Sequence, residues 1–89
     1  MTKEEKNKQR RQYIRQKKIF LRQHSDCPVY PGNRTTDIHH IQGRLGPLLT
    51  DERFWLAVSR SGHDWIHAHP EESRQKGWLC EKGKWNQID

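Results

Sequence analysis

The sequence predicts a small α+β domain, and three features carry that expectation. Residues 3–23 contain no Gly or Pro and are rich in Lys, Arg, Gln and Glu, all good helix formers. Two short segments with β-branched or aromatic residues, 35–41 and 54–58, flank a loop rich in Gly and Pro. A capping signal then precedes a short helical stretch near residue 62. The chain has 89 residues, 30% of them hydrophobic, and a mean hydropathy of -1.25. Globular domains usually hold about 45–50% apolar residues, so this core is poor and a metal or a partner is expected to help hold it.

The first element expected is a helix over residues 4–23. Tyr13, Lys17, Phe20 and His24 fall at helical spacing, with Ile14 and Leu21 beside them. Its first half is polar all round, and its second half has a face able to dock. Ser25-Asp26 and Cys27-Pro28 break the pattern, and Pro31-Gly32-Asn33 reads as a turn. Thr35–Ile41 is expected to be a strand. Gln42–Pro47, with two Gly and one Pro, is expected to be a loop. Phe54–Val58 is apolar throughout and is expected to be a second strand, buried on both faces and paired with the first as a hairpin.

Ser61 with Asp64 three residues later predicts an N-cap at Ser61 and a helix over Gly62–Ala68. Pro70 ends that helix and opens another, with Glu71 and Glu72 in its first turn and Gly77 closing it. Trp78, Leu79 and Trp85 are expected to pack back on the body.

Charge is unevenly placed. Residues 1–24 hold nine Lys/Arg (Lys3, Lys6, Lys8, Arg10, Arg11, Arg15, Lys17, Lys18 and Arg22) against two Glu, a balance of +7. Residues 25–89 hold eight Lys/Arg against nine Asp/Glu, a balance of -1. The expectation is a basic arm, residues 1–24, gripping a nucleic-acid backbone, followed by a second unit, residues 25–89. No apolar run reaches the ~20 residues of a membrane span, and neither a membrane partner nor a secretory signal is expected. Two cysteines build no disulfide framework, so a reducing, cytoplasmic compartment is expected.

Five of the six histidines lie between positions 39 and 69. His63 and His67 are four apart on the expected helix and so share one face about a turn apart, which is a metal-ligand spacing. The tandem pair His39-His40 comes from the first strand, so the two pairs allow a site between hairpin and helix. On a regular strand neighbouring side chains point to opposite faces, so His39 and His40 share a site only if the strand bends or ends there. His69 precedes Pro70 and is expected to stand apart. His24 and Cys27 form at most a two-ligand fragment.

Asp37-Ile38-His39-His40-Ile41, the Gly-rich loop, the second strand and Gly62-His63-Asp64-Trp65-Ile66-His67 together resemble the HNH nuclease motif on a ββα-metal finger, as in colicin DNases and many phage nucleases. The stretches Gln42-Gly43-Arg44-Leu45-Gly46, Phe54-Trp55-Leu56-Ala57-Val58-Ser59 and Gly77-Trp78-Leu79 resemble a small phage-type subgroup. The resemblance covers residues 27–79 and leaves the basic arm outside. It implies a metal-dependent endonuclease that hydrolyses DNA phosphodiesters, in the host cytoplasm if phage-encoded. It makes His39 and His63 metal ligands, His67 a further ligand or phosphate contact, and His40 the general base.

A neutral imidazole takes a proton from water near pH 7, which suits that last role. Asp37 is a candidate oxygen ligand, or an acceptor for a ligand's N–H. Arg44, on a Gly-flanked loop, is a candidate phosphate clamp, with Arg60 and Arg34 as weaker ones. Imidazole ligands suit Zn²⁺, Ni²⁺ or Co²⁺, whereas added oxygens favour Mg²⁺ or Mn²⁺.

The chain departs from the family pattern twice. Phe54 stands where the family has an asparagine that orients the base, so a backbone group must do this or activity is weakened. Of two Cys-x-x-Cys pairs found in many relatives only Cys27 remains, so their structural zinc is expected to be absent and Tyr30, Phe54, Trp55, Trp65 and Trp78 to pack in its place. Phe54 motivates the alternative of a non-catalytic nucleic-acid-binding module on the same scaffold. A protein-interaction module, with metal serving folding alone, is the third reading.

Overall fold

A computed structural model describes residues 2–88. The elements are α1 (Lys3–Gln23), β1 (Asp37–His40), two 3₁₀ turns (Gly46–Thr50 and Glu52–Phe54), β2 (Trp55–Val58), α2 (Arg60–Ala68) and α3 (Pro70–Gln75). The α+β expectation holds. β1 and β2 form a two-stranded antiparallel sheet in the register Asp37↔Val58, Ile38↔Ala57, His39↔Leu56 and His40↔Trp55. Thr36 N–H donates to Val58 O and Ile41 N–H to Phe54 O, so pairing extends one residue beyond each end of β1.

Alternation along the strands splits the sheet into two faces. Ile38, His40, Trp55 and Ala57 share one face; Asp37, His39, Leu56 and Val58 share the other. The first face meets α1: Phe20, Ile38, Trp55 and Ala57 form one buried cluster, with Tyr13 and Leu21 packed against it. The second face meets α2: Cys27, Val58 and Ile66 form another, with Val29, Leu56, Trp65 and Trp78 around it. The sheet is thus the middle of three layers, and each helix closes one side of it.

α1 starts at Thr2, whose hydroxyl accepts from Glu5 N–H, with Glu4 and Glu5 in the first turn where the helix dipole favours them. Its polar half also docks. Gln9 Nε2 donates to Gly46 O at 2.7 Å, and Gln16 Nε2 donates to Thr50 O at 3.1 Å and Glu52 Oε2 at 2.8 Å. Amide side chains thereby tie the basic helix to the 3₁₀ turns, which lie within a connection that the composition marks only as loop.

The cap of α2 is Ser59, not Ser61: Ser59 Oγ accepts from Gly62 N–H at 3.1 Å, and the helix begins at Arg60. The strand leaves Ser59 extended (φ −75°, ψ 165°), as a capping residue requires, whereas Ser61 already lies inside the first turn. α3 begins at Pro70, with Glu71 and Glu72 in its first turn. Trp55, Trp65 and Trp78 pack as expected. Tyr30 does not, being 41% exposed, and Phe54 is half-buried under the Arg53 guanidinium. No described helix is long and apolar enough to cross a membrane.

Candidate metal centre

β1 and α2 deliver three imidazoles to one place. One ring nitrogen from each of His39, His63 and His67 lies within 4.8 Å of the others. Metal–nitrogen bonds of ~2.0–2.1 Å in a tetrahedral site need these atoms about 3.4 Å apart, so each has to move by about 1 Å or less. His63 and His67 lie beside the buried Gly62/Ile66 stripe of α2, and His39, like Asp37, is on the face of β1 turned toward α2. The ring centroids are 5.3 Å apart for His39–His63, 5.6 Å for His39–His67 and 4.8 Å for His63–His67.

Hydrogen bonds decide which nitrogen is free. His39 Nε2 lies 2.7 Å from Trp78 O. A carbonyl only accepts, so Nε2–H donates and Nδ1 keeps its lone pair. His63 Nδ1 lies 3.2 Å from Asp37 Oδ2 and donates to that carboxylate, which leaves Nε2 as the lone-pair atom. Burial above all, with smaller contributions from the neighbouring His63 and His67, pushes the His39 ring down to about 4 against the Trp78 hydrogen bond. Burial and His63 lower His67 as well. His39 is therefore a neutral donor at pH 7, as a metal ligand must be. These three side chains can hold a metal ion.

Asp37, a candidate oxygen ligand from the sequence, lies outside this trio of donor atoms. Its carboxylate accepts from His63 and from Thr36 Oγ1, and the Arg60 guanidinium reaches it at 3.4 Å. Burial alone raises the Asp37 carboxyl; the hydrogen bonds from His63 and Thr36 outweigh that and hold it below its ordinary value. The exposed Arg60 guanidinium also lies 3.8 Å from Asp64.

His40 points to the other face of the sheet, against Tyr13 (ring centroids 5.7 Å) and Trp55 (5.9 Å). It is outside the trio, yet it borders the same cavity of about 170 Å³ with Ile38, His39, Arg44, His63, His67 and Trp85. β1 ends at His40, and the chain turns through Gly43 at φ +113°. The strand end lets opposite-facing neighbours share a site. His40 Nε2 donates to Leu49 O at 3.3 Å, a carbonyl that also accepts from Trp55 Nε1 at 3.2 Å. The ring is thereby oriented with Nδ1 as the proton-accepting atom. Burial above all, with smaller contributions from Arg44, His63 and Lys17, brings His40 down to about 4 against the Leu49 bond.

Arg44 is exposed and its guanidinium sits 5.6 Å over the Tyr13 ring. Lys17 is half-buried; the other eight candidate basic residues of α1 are exposed. Lys18 and Arg22 join Arg34 along a cavity of about 840 Å³ between the end of α1 and the 25–35 segment. That cleft holds none of the clustered histidines, so it lies apart from the candidate metal centre. His24 stacks on Phe20 at 4.3 Å, while Cys27 is fully buried beside Ser59, so they form no ligand pair. His69 stacks on Trp65 and bonds Trp65 O, apart from the other rings.

No family model, curated protein or solved structure matches the chain.

Three contributors lay outside what the residue pattern reveals: the carbonyls of Trp78 and Leu49, and the Trp85 side chain. Backbone acceptors have no sequence signature. Trp85 sits in a polar segment without apolar neighbours at strand or helix spacing, a pattern that argues against packing but names no site. It is 46% exposed and lines the histidine cavity instead of packing on the body.

Proposed function

We propose that this chain is a metal-dependent endonuclease of the HNH type, with a ββα-metal finger formed by β1, β2 and α2. The observation that carries the reading is a three-imidazole donor set bordered by a fourth, separately oriented histidine. Mere metal storage or structural stapling has no need of that fourth ring.

His39, His63 and His67 would hold the ion. Three imidazoles suit Zn²⁺ or Ni²⁺, and phosphate oxygens completing the shell also admit Mg²⁺ or Mn²⁺. A bound divalent cation supplies Lewis acidity to the scissile phosphate and the leaving 3′ oxygen. His40 Nδ1 takes the proton of the attacking water, with the Leu49 carbonyl orienting the ring as the family's asparagine does elsewhere. Burial above all, with the cations Arg44 and Lys17 beside it, keeps His40 neutral before substrate binds. A phosphodiester seated against them offsets their charge and raises the proton affinity of His40 as the reaction begins. The exposed cations of α1 grip the backbone of DNA with little sequence information of their own.

Plasmid nicking with Mg²⁺, Mn²⁺, Ni²⁺ or Zn²⁺ tests this. General-base loss costs on the order of 10²–10⁴ in rate, so His40→Ala should lose nearly all nicking. Equal behaviour of wild type and His40→Ala in every metal rejects the enzyme reading. Phe54, which offers no polar group where the family has an amide, favours a second reading: a nucleic-acid-binding module without catalysis. Salt-sensitive DNA binding that survives both chelation and His40→Ala, with no nicking in any metal, selects it.

A further inference from the structure

Trp85 is a large aromatic side chain that the fold leaves half exposed yet holds in place. Among the described residues it belongs to neither buried cluster. The segment around it is clamped on the loop after β1. Gln42 Nε2 donates to Lys84 O at 2.8 Å, and Asn86 N–H donates to Gln42 O at 2.7 Å. Asn86 Oδ1 accepts from Arg44 N–H at 2.9 Å and from Leu45 N–H at 3.1 Å. Asn86 does this at φ +62°, a left-handed conformation that asparagine tolerates better than most residues. Gly43 makes room: it sits at φ +113°, and a Cβ there would collide with Asn86 Oδ1. Four hydrogen bonds, a left-handed asparagine and an obligatory glycine thus fix the residues on both sides of one exposed indole.

The indole borders two cavities. One, about 170 Å³, holds His39, His40, His63, His67 and Arg44. The other, about 240 Å³, holds His67, Arg74 and Leu79. An aromatic side chain held beside a phosphate-sized cavity that carries the Arg44 guanidinium matches the arrangement by which proteins take single strands, with the phosphate on a cation and the base on a ring. Bases within a duplex are already stacked and cannot lie on it.

We propose that Trp85 is a stacking platform for an unpaired nucleobase next to the phosphate held at the histidine cluster and Arg44, so that the chain favours single-stranded or locally unpaired nucleic acid. This rests on the nucleic-acid reading above and adds the class of substrate.

The test is fluorescence anisotropy with 5′-labelled dT12, a twelve-residue abasic backbone and a twelve-base-pair duplex, all in chelator so that nothing is cleaved. Stacking on an aromatic ring is worth about 5- to 150-fold in affinity per base, so Trp85→Ala should weaken dT12 binding within that range. Trp85→Phe should stay within a few-fold of wild type, and Trp85→Ala should leave the abasic and duplex affinities unchanged. Unchanged dT12 binding in Trp85→Ala, an equal loss on all three probes, or no dT12 binding by wild type each overturns the platform. Because binding is read without turnover, Trp85-dependent dT12 binding with no nicking in any metal keeps the platform and removes the nuclease. His40-dependent nicking with Trp85-independent dT12 binding does the reverse.

Discussion

Gly62→Ala should destabilise the domain although it places a better helix former inside α2. Ala is favoured over Gly in a helix interior by about 1 kcal/mol. Here a Cβ would lie 2.7 Å from Cys27 Sγ, 3.2 Å from Ser59 Oγ and 3.3 Å from Val29 Cβ. The first contact falls about 1 Å inside ordinary van der Waals separation. Cys27 cannot retreat: it is fully buried, and its N–H is bonded to Asn33 O at 3.0 Å. Overpacking of this kind costs about 1–3 kcal/mol and more where nothing yields, so the net loss should be about 1–2 kcal/mol. Cys27→Ala removes the obstructing sulfur and, alone, costs about 1 kcal/mol as a small cavity.

The double variant should then be more stable than the sum of the singles by about 1–3 kcal/mol. Urea unfolding in chelator, followed by tryptophan fluorescence, measures all four corners of the cycle. Because His63 follows Gly62 directly, zinc affinity should fall in Gly62→Ala and recover in the double variant. Additivity within about 0.5 kcal/mol, or a Gly62→Ala protein more stable than wild type, would refute the close approach of α2 to Cys27.

Three further outcomes are expected. Without metal, stability should fall between pH 7 and pH 5. His39 and His40 stay neutral down to about 4 in the fold, against 6.5 as free rings, so the unfolded chain takes up protons first. Their contribution is complete above pH 6.5 and drains toward pH 4, about 2 kcal/mol per ring by pH 5; a urea midpoint that does not move over that interval contradicts the burial. Zinc at about 100 times its Kd should add ~2.7 kcal/mol and raise Tm by about 10–20 °C, and His63→Ala should remove most of the gain; a shift that persists in His63→Ala locates the ion elsewhere. Asp37→Asn should lower zinc affinity about tenfold by weakening the partner of His63 Nδ1, and calorimetric titration showing unchanged affinity would remove Asp37 from the site's support.

Much of the fold was legible because local rules act locally. The Gly- and Pro-free run reads as α1, the short, partly β-branched segment 35–41 as β1, the apolar segment 54–58 as β2, and Pro70 as the start of α3. The cap of α2 was misread for an equally local reason: Ser59 and Ser61 are both serines near the helix start, and only the extended backbone leaving β2 assigns the role to Ser59. The 3₁₀ turns escaped because Gly46, Pro47 and the residues after them carry no helical period. They are tied in place by Gln9 and Gln16, some 35 residues upstream.

Residue types and spacing determined the donors: two imidazoles a helical turn apart, a tandem pair on a strand, and a basic helix ahead of them. Tertiary structure decided their chemistry. His39 and His40 occupy adjacent positions yet meet different acceptors, Trp78 O and Leu49 O, at separations of 39 and 9 residues. Which nitrogen is free depends on where a carbonyl from a distant segment comes to rest, and every residue type carries the same carbonyl. The same holds for Trp85, whose placement is governed by backbone bonds to the loop after β1 rather than by any apolar pattern of its own.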